Sequence, residues 1–99
     1  MTEYLQVWRA RVADADVERL LTVRPAAIAE AQRLCPELLR ADLVQLGDGT
    51  WLDVLTWSRA DGAERLMAHA EEFDALHAMH ALLEDADEVG RGEIMAAAR

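Results

Sequence analysis

Apolar and polar residues alternate from Tyr4 to Val12. A period of two over that length, with tyrosine, tryptophan and valine taking part, predicts a β-strand. One face carries Tyr4, Gln6, Trp8, Ala10 and Val12, and the other Leu5, Val7, Arg9 and Arg11. The period then lengthens. Val17, Leu20, Leu21, Ile28, Ala31, Cys35 and Leu38 recur at helical spacing, behind Asp14 or Asp16, either of which suits an N-cap. Arg24 interrupts this stripe, and Pro25 has no N–H to give to a helix. A kink there, or two short helices joined near Val23, is expected, with Pro36 ending the segment. Leu38 to Leu46 and Trp51 to Ser58 read as the second and third strands, and Asp48-Gly49 between them suits a two-residue type I′ turn. That turn sets Leu43 opposite Val54 and Gln45 opposite Leu52. On the other face it sets Asp42 opposite Leu55, Val44 opposite Asp53 and Arg40 opposite Trp57.

Asp61-Gly62-Ala63-Glu64 has the form of a capping box, with Ser58 an alternative cap. Behind it come two helical stripes, one with Ala63, Leu66, Met67 and Ala70, the other with Phe73, Leu76, His80 and Leu83. Glu88 to Met95 is the last strand, loosened by Gly90 and Gly92. The order is βαββαβ. It predicts an α+β, ferredoxin-like domain spanning residues 1–99, with a four-stranded antiparallel sheet. Helices cover one face of such a sheet, so the other should be polar. The third strand is apolar on both sides, with Leu52 and Val54 on one and Trp51, Leu55 and Trp57 on the other. A second copy of the chain is the simplest cover, so a homodimer is expected.

Composition narrows the function. A net charge of −9 argues against nucleic acid and anionic membrane surfaces as partners. No apolar run approaches the roughly 20 residues of a membrane span, and Met1-Thr2-Glu3-Tyr4 does not open a secretory signal. A cytoplasmic location is expected. All 10 basic residues are arginine, which removes Schiff-base chemistry and a P-loop lysine. Asparagine is absent, Ser58 is the only serine, and Cys35 is the only cysteine, which reads as a small buried apolar residue.

Candidate chemistry gathers on the third strand. Trp51, Asp53 and Trp57 share a face, and the two-residue turn adds Arg40 and Asp42 to it. Asp53 beside indoles is a candidate general base. As a structural group it would pair with an arginine or lie at the rim. His77, His80 and Glu84 fall at helical spacing near Phe73 and Leu76. That arrangement reads as amphipathic packing at a pocket edge, and no metal site is assigned to it. Met67, Met79 and Met95 suit an adaptable core or pocket lining.

The run Cys35-Pro36-Glu37-Leu38-Leu39-Arg40, the hairpin, and Trp51-Leu52-Asp53-Val54-Leu55-Thr56-Trp57 before an alanine-rich helix resemble the antibiotic biosynthesis monooxygenase family, in the dimeric α+β barrel superfamily. The resemblance spans nearly the whole chain. It implies a cavity between sheet and helices in which an aromatic, polyketide-like molecule reacts with oxygen without a cofactor. The family's asparagine four residues before the strand-ending tryptophan is Asp53 here. An amide donates and accepts, whereas an ionised carboxylate only accepts. A haem-degrading branch places an asparagine on the first strand and a histidine in the helix after the tryptophan. The corresponding residues here are Gln6 and His69. The expected site has Asp53, Trp57, His77 and His80 as catalytic candidates, and Trp8, Phe73, Leu55 and Met67 as substrate contacts. Asp53 or a histidine would remove a substrate proton. A dimer that only binds a small molecule, or serves structurally, is the alternative.

Overall fold

The computed structural model describes residues 2–98, with Ala70 described by its backbone alone. Its sheet runs in the order β2-β3-β1-β4, built from β1 (Tyr4–Arg11), β2 (Leu38–Gln45), β3 (Trp51–Trp57) and β4 (Glu84–Glu93). Every neighbouring pair is antiparallel. Between β1 and β2 lies α1 (Val17–Leu34), and between β3 and β4 lie α2 (Gly62–Met67) and α3 (Asp74–His80). This is the expected α+β, ferredoxin-like arrangement.

Across β1 and β3, Tyr4 faces Trp57, Gln6 faces Leu55, Trp8 faces Asp53 and Ala10 faces Trp51. Gln6, Ala10, Trp51, Leu55 and Trp57 are buried, so this side of the sheet lies under the helices. One core cluster joins Ala31, Cys35, Leu38, Leu55, Trp57 and Ala63, with Tyr4, Trp8 and Leu66 packed on it. A second joins Leu20, Ala27 and Met79, with Leu43, Leu76 and Leu83 against them. Burial and the nearby Glu37 carboxylate push the Cys35 thiol above its ordinary range.

The β2–β3 register differs from the expected one by a residue. Gly49 N–H donates to Leu46 O at 2.9 Å, Leu46 N–H donates to Thr50 O at 2.8 Å, and Gly49 takes φ +89°. The loop is therefore three residues, Gly47-Asp48-Gly49, a turn closed by a left-handed glycine. An odd loop moves every pair by one. Leu43 faces Asp53 and Ala41 faces Leu55. Arg40 and Asp42 turn to the opposite side from Trp57 and bond each other, Nε to Oδ2, at 2.6 Å. A bulge at Leu39 returns Leu38 to the face of Trp57.

Four further expectations change. α1 runs unbroken through Pro25. The carbonyl that Pro25 leaves without an intrahelical donor belongs to Leu21, which is 53% exposed. Asp61 does not cap α2 with its side chain, because its carboxylate accepts from Arg59 instead. β4 begins four residues earlier than expected and ends at Glu93. Glu84 therefore sits on β4 opposite Arg11, and the His77–His80–Glu84 helical stripe does not form. Among the described residues, no helix is long and apolar enough to cross a membrane.

The short α3 is anchored by α1. Glu30 accepts the N–H of Ala75 (Oε2, 3.3 Å) and of Leu76 (Oε1, 3.2 Å), two of the donors that a helix N-terminus leaves without partners. Glu30→Ala is expected to lower stability by about 1 kcal/mol, in the range of a lost helix cap. Glu30→Gln, which keeps one acceptor, should lose less. Urea unfolding at fixed protein concentration checks both.

Candidate functional site

α1 brings a charge to the middle of the sheet. Leu20, Arg24, Ala27 and Ala31 are its buried residues, a spacing of four, three and four that lies on one helix face. Arg24 is thus part of the inward stripe. Its Nη2 donates to Asp53 Oδ1 at 2.8 Å and its Nη1 to Asp53 Oδ2 at 3.0 Å. The side chains keep only 10% and 14% of their exposure, so this is a nearly buried, bidentate pair. Met79 of α3 places its sulfur 3.9 Å from Nη1. Asp53 has the arginine partner that the structural alternative required, and both its oxygens are committed to that partner.

His80 stands at the end of α3 and is exposed, yet the surrounding protein partly desolvates it and pushes its pKa below the ordinary 6.5. Asp53 opposes that shift, while His77 and Arg24 add to it. The sign of the consequence follows. Between pH 6.5 and the lower folded value, the unfolded chain protonates His80 and the folded chain does not, so stability falls with acidification. His80→Gln is expected to flatten that part of the stability–pH curve. Parallel denaturant titrations of both proteins from pH 7.5 to about 5 measure it.

A second polar group lies at the Trp57 end. Trp57 Nε1 donates to Gln6 Oε1 at 3.2 Å, and Gln6 Nε2 donates to Glu88 Oε1 at 2.5 Å. Arg91 donates to Glu88 (2.8 Å) and to Glu64 of α2. The Gln6 and Arg91 hydrogen bonds hold the Glu88 carboxyl below its usual range. A hollow of about 230 Å³ opens here, lined by Tyr4, Gln6, Trp57, Ala60, Ala63 and Arg91 among others. Another, of about 430 Å³, lies where Arg9, Arg11, Thr50, Asp85 and Asp87 meet. Neither is lined by Arg24, Asp53 or His80.

The expected site residues therefore separate. His80 stands exposed at the end of α3, while Asp53 pairs with Arg24 and has Trp8 across the strand pair. Trp57 lies four residues along β3, about 13 Å away on the same face, with Leu55 buried between them. Phe73 is 2% exposed and packs as core, whereas Met67 is 68% exposed. His77 is exposed on α3. His69 of the haem-type arrangement bonds Glu72 at 2.6 Å on the surface. Arg24, which the sequence pattern treats only as a break in a stripe, is the added member. The signal for it was a cation at a core-facing helical position in a chain with an acid on the helix-facing side of a strand.

No protein-family model matches the chain, and no curated protein matches its sequence. Solved structures do match. A single-residue variant of SnoaB, a cofactor-independent oxygenase from Streptomyces nogalater, aligns over 98% of this chain and 95% of its own, with a TM-score of 0.67 and 22% identity. A dimeric ferredoxin-like protein from an uncultured marine organism aligns over 100% and 93%, with a TM-score of 0.71 and 11% identity. An antibiotic biosynthesis monooxygenase aligns over 99% and 100%, with a TM-score of 0.62 and 13% identity. The chain has the fold of these proteins.

Proposed function

We propose that this protein is a homodimeric, cofactor-independent oxygenase acting on an aromatic or conjugated small molecule over the helix-facing side of its sheet. The observation that carries this is the nearly buried, bidentate Arg24–Asp53 pair on the helix-facing side of the sheet. A buried ion pair gains little net stability over well-packed apolar side chains, because desolvation offsets the attraction. Stability alone therefore gives this chain little reason to place a charged pair at the centre of its core. His80, with a lowered pKa on which the fields of Asp53 and Arg24 also act, is a titratable group of the kind catalytic sites use. The match to an oxygenase over nearly the full length of both chains agrees with it.

In this mechanism His80, kept neutral by its surroundings, is the base. It takes a proton from an acidic carbon, and the electron-rich carbanion reduces molecular oxygen. A CH₂ group becomes C=O, and the second oxygen atom leaves as water. Oxygen-electrode measurements with a panel of anthrones and hydroquinones test the proposal. Uptake above the buffer rate is expected, falling about 100-fold or more in His80→Gln. No uptake across the panel would reject it. The hollows at the β1/β4 edge, which do not include the pair, favour the second reading, a dimer that binds without turnover.

The dimer rests on the outer sheet face. Leu5, Val7, Leu52 and Val54 lie there half-buried, with Val44 39% exposed, and the helices pack on the other side. A second copy placed on this face would cover it, and one of the matching structures is of a dimeric protein. Sedimentation equilibrium at micromolar concentration should give twice the chain mass of 11.0 kDa. A monomer would contradict it.

A further inference from the structure

β1 and β4 depart from regular pairing near the start of β4. Asp87 stands opposite Arg9 and Glu84 opposite Arg11, so two residues, Asp85 and Ala86, stand against Ala10 alone. This is a bulge, and a bulge re-aims a side chain out of the alternation of its strand. Asp85 absorbs it with φ +53°, in the left-handed region. It is the only non-glycine residue with a positive φ among the described residues. Aspartate visits that region more readily than most residues, but still at a cost. Asp85 is exposed, so packing does not offset the cost. Backbone strain of this kind gathers at ligand sites.

Asp85 borders the hollow of about 430 Å³, together with Arg9, Ala10, Arg11, Thr50 and Asp87. That volume lies within the range of small-molecule sites. Arg9 and Asp87 neutralise each other there, with Nη2 and Oδ2 at 3.0 Å. The hollow then has one further cation, Arg11 from β1, and one further anion, Asp85 from β4. These two do not pair with each other, and neither side chain is bonded elsewhere among the described residues. We propose that the hollow binds a zwitterionic α-amino acid, its carboxylate on Arg11 and its ammonium on Asp85. A guanidinium fork matches a carboxylate, and a carboxylate accepts from an ammonium. A simple anion would meet repulsion from Asp85, and a simple cation repulsion from Arg11. A ligand that carries both signs gains from both. Arg24, Asp53 and His80 do not line this hollow, so the site is independent of the proposed oxygenase reaction.

L-Glutamine is a suitable probe, with two analogues that each lack one charge: N-acetyl-L-glutamine has no ammonium, and L-glutaminamide has no carboxylate. Each is titrated to about 50 mM into isotope-labelled protein at neutral pH, a range that covers millimolar affinity. L-Glutamine is expected to shift the amide resonances of Arg11, Thr50 and Asp85 saturably. Each analogue should bind about threefold or more weakly, the loss of one exposed ion pair. Arg11→Gln and Asp85→Asn separate the two contacts. Both positions are exposed, and asparagine tolerates the left-handed conformation, so both variants should fold. In Arg11→Gln the difference between L-glutamine and L-glutaminamide should vanish, while the difference from N-acetyl-L-glutamine remains. Asp85→Asn should do the reverse. If either variant does not fold, the three compounds on the native protein decide. No saturable shift at these residues, equal binding of all three compounds, or both differences retained in the folded variants would overturn the proposal.

Discussion

Asp53→Ala should lower stability by about 3–5 kcal/mol, the cost of leaving one member of a buried pair without its partner. Arg24 is 9% exposed, and its two strong bonds both go to Asp53. With the carboxylate gone, a full positive charge would remain under the helices against Met79 and the core around Leu20 and Ala27. That loss is a large share of the roughly 5–15 kcal/mol available to a domain of this kind. Asp53→Asn keeps an acceptor and should lose less. Arg24→Met/Asp53→Leu should recover most of the stability, because apolar replacement of a buried pair is often neutral. Chemical denaturation of the native protein, Arg24→Met, Asp53→Leu and Arg24→Met/Asp53→Leu at one fixed concentration closes the cycle. Single-variant losses that sum to the loss in the double variant would show that the pair is not coupled.

Gly62→Ala should cost on the order of 3 kcal/mol, the upper part of the range for overpacking a core. A Cβ at this position would lie 2.4 Å from Trp57 Cε3 and 2.6 Å from Cδ2, well inside contact distance. The indole has little room to yield. It is 2% exposed, its N–H is held by Gln6, and Leu38, Leu55 and Ala63 surround it. The gain in helix propensity from glycine to alanine, below about 1 kcal/mol at a first-turn position, does not offset the clash. The expected fall in melting temperature is roughly 10–20 °C for a domain of this size. A fall of under about 2 °C would mean that α2 can lift from the sheet without penalty.

How much of this was legible in the sequence depended on which signal each element used. β1, β2 and β3 were readable because alternation is a strong signal when one face is buried. Their boundaries moved by a single residue. Asp48-Gly49 suits both a two-residue turn and the end of a three-residue one, so it does not by itself set the length of the hairpin loop. Loop parity then decided which β2 side chains join Asp53. The early start of β4 was hidden because Glu84 to Asp87 have low strand propensity. The pairing comes from cross-strand charge instead, with Arg9 and Asp87 at 3.0 Å and Arg11 opposite Glu84. Pro25 concealed the continuity of α1. Arg24 is hard to place from the sequence because a cation breaks the apolar stripe of α1. In the core-facing series Leu20, Arg24, Ala27 and Ala31 its position was regular, and a buried cation requires an acid nearby. Asp53 is that acid, on the helix-facing side of β3. The separation of Trp57 from Asp53 was also implicit, since residues four apart on a strand share a face without touching.

The most direct test of the central claim is labelled molecular oxygen supplied with an anthrone to the native protein and to the folded Arg24→Met/Asp53→Leu variant. Mass spectrometry of the product is expected to show one labelled oxygen atom from the native protein, and only the background rate from the variant. Product formed at equal rates by both, or an unlabelled product oxygen drawn from water, would contradict an oxygenase built on Arg24, Asp53 and His80.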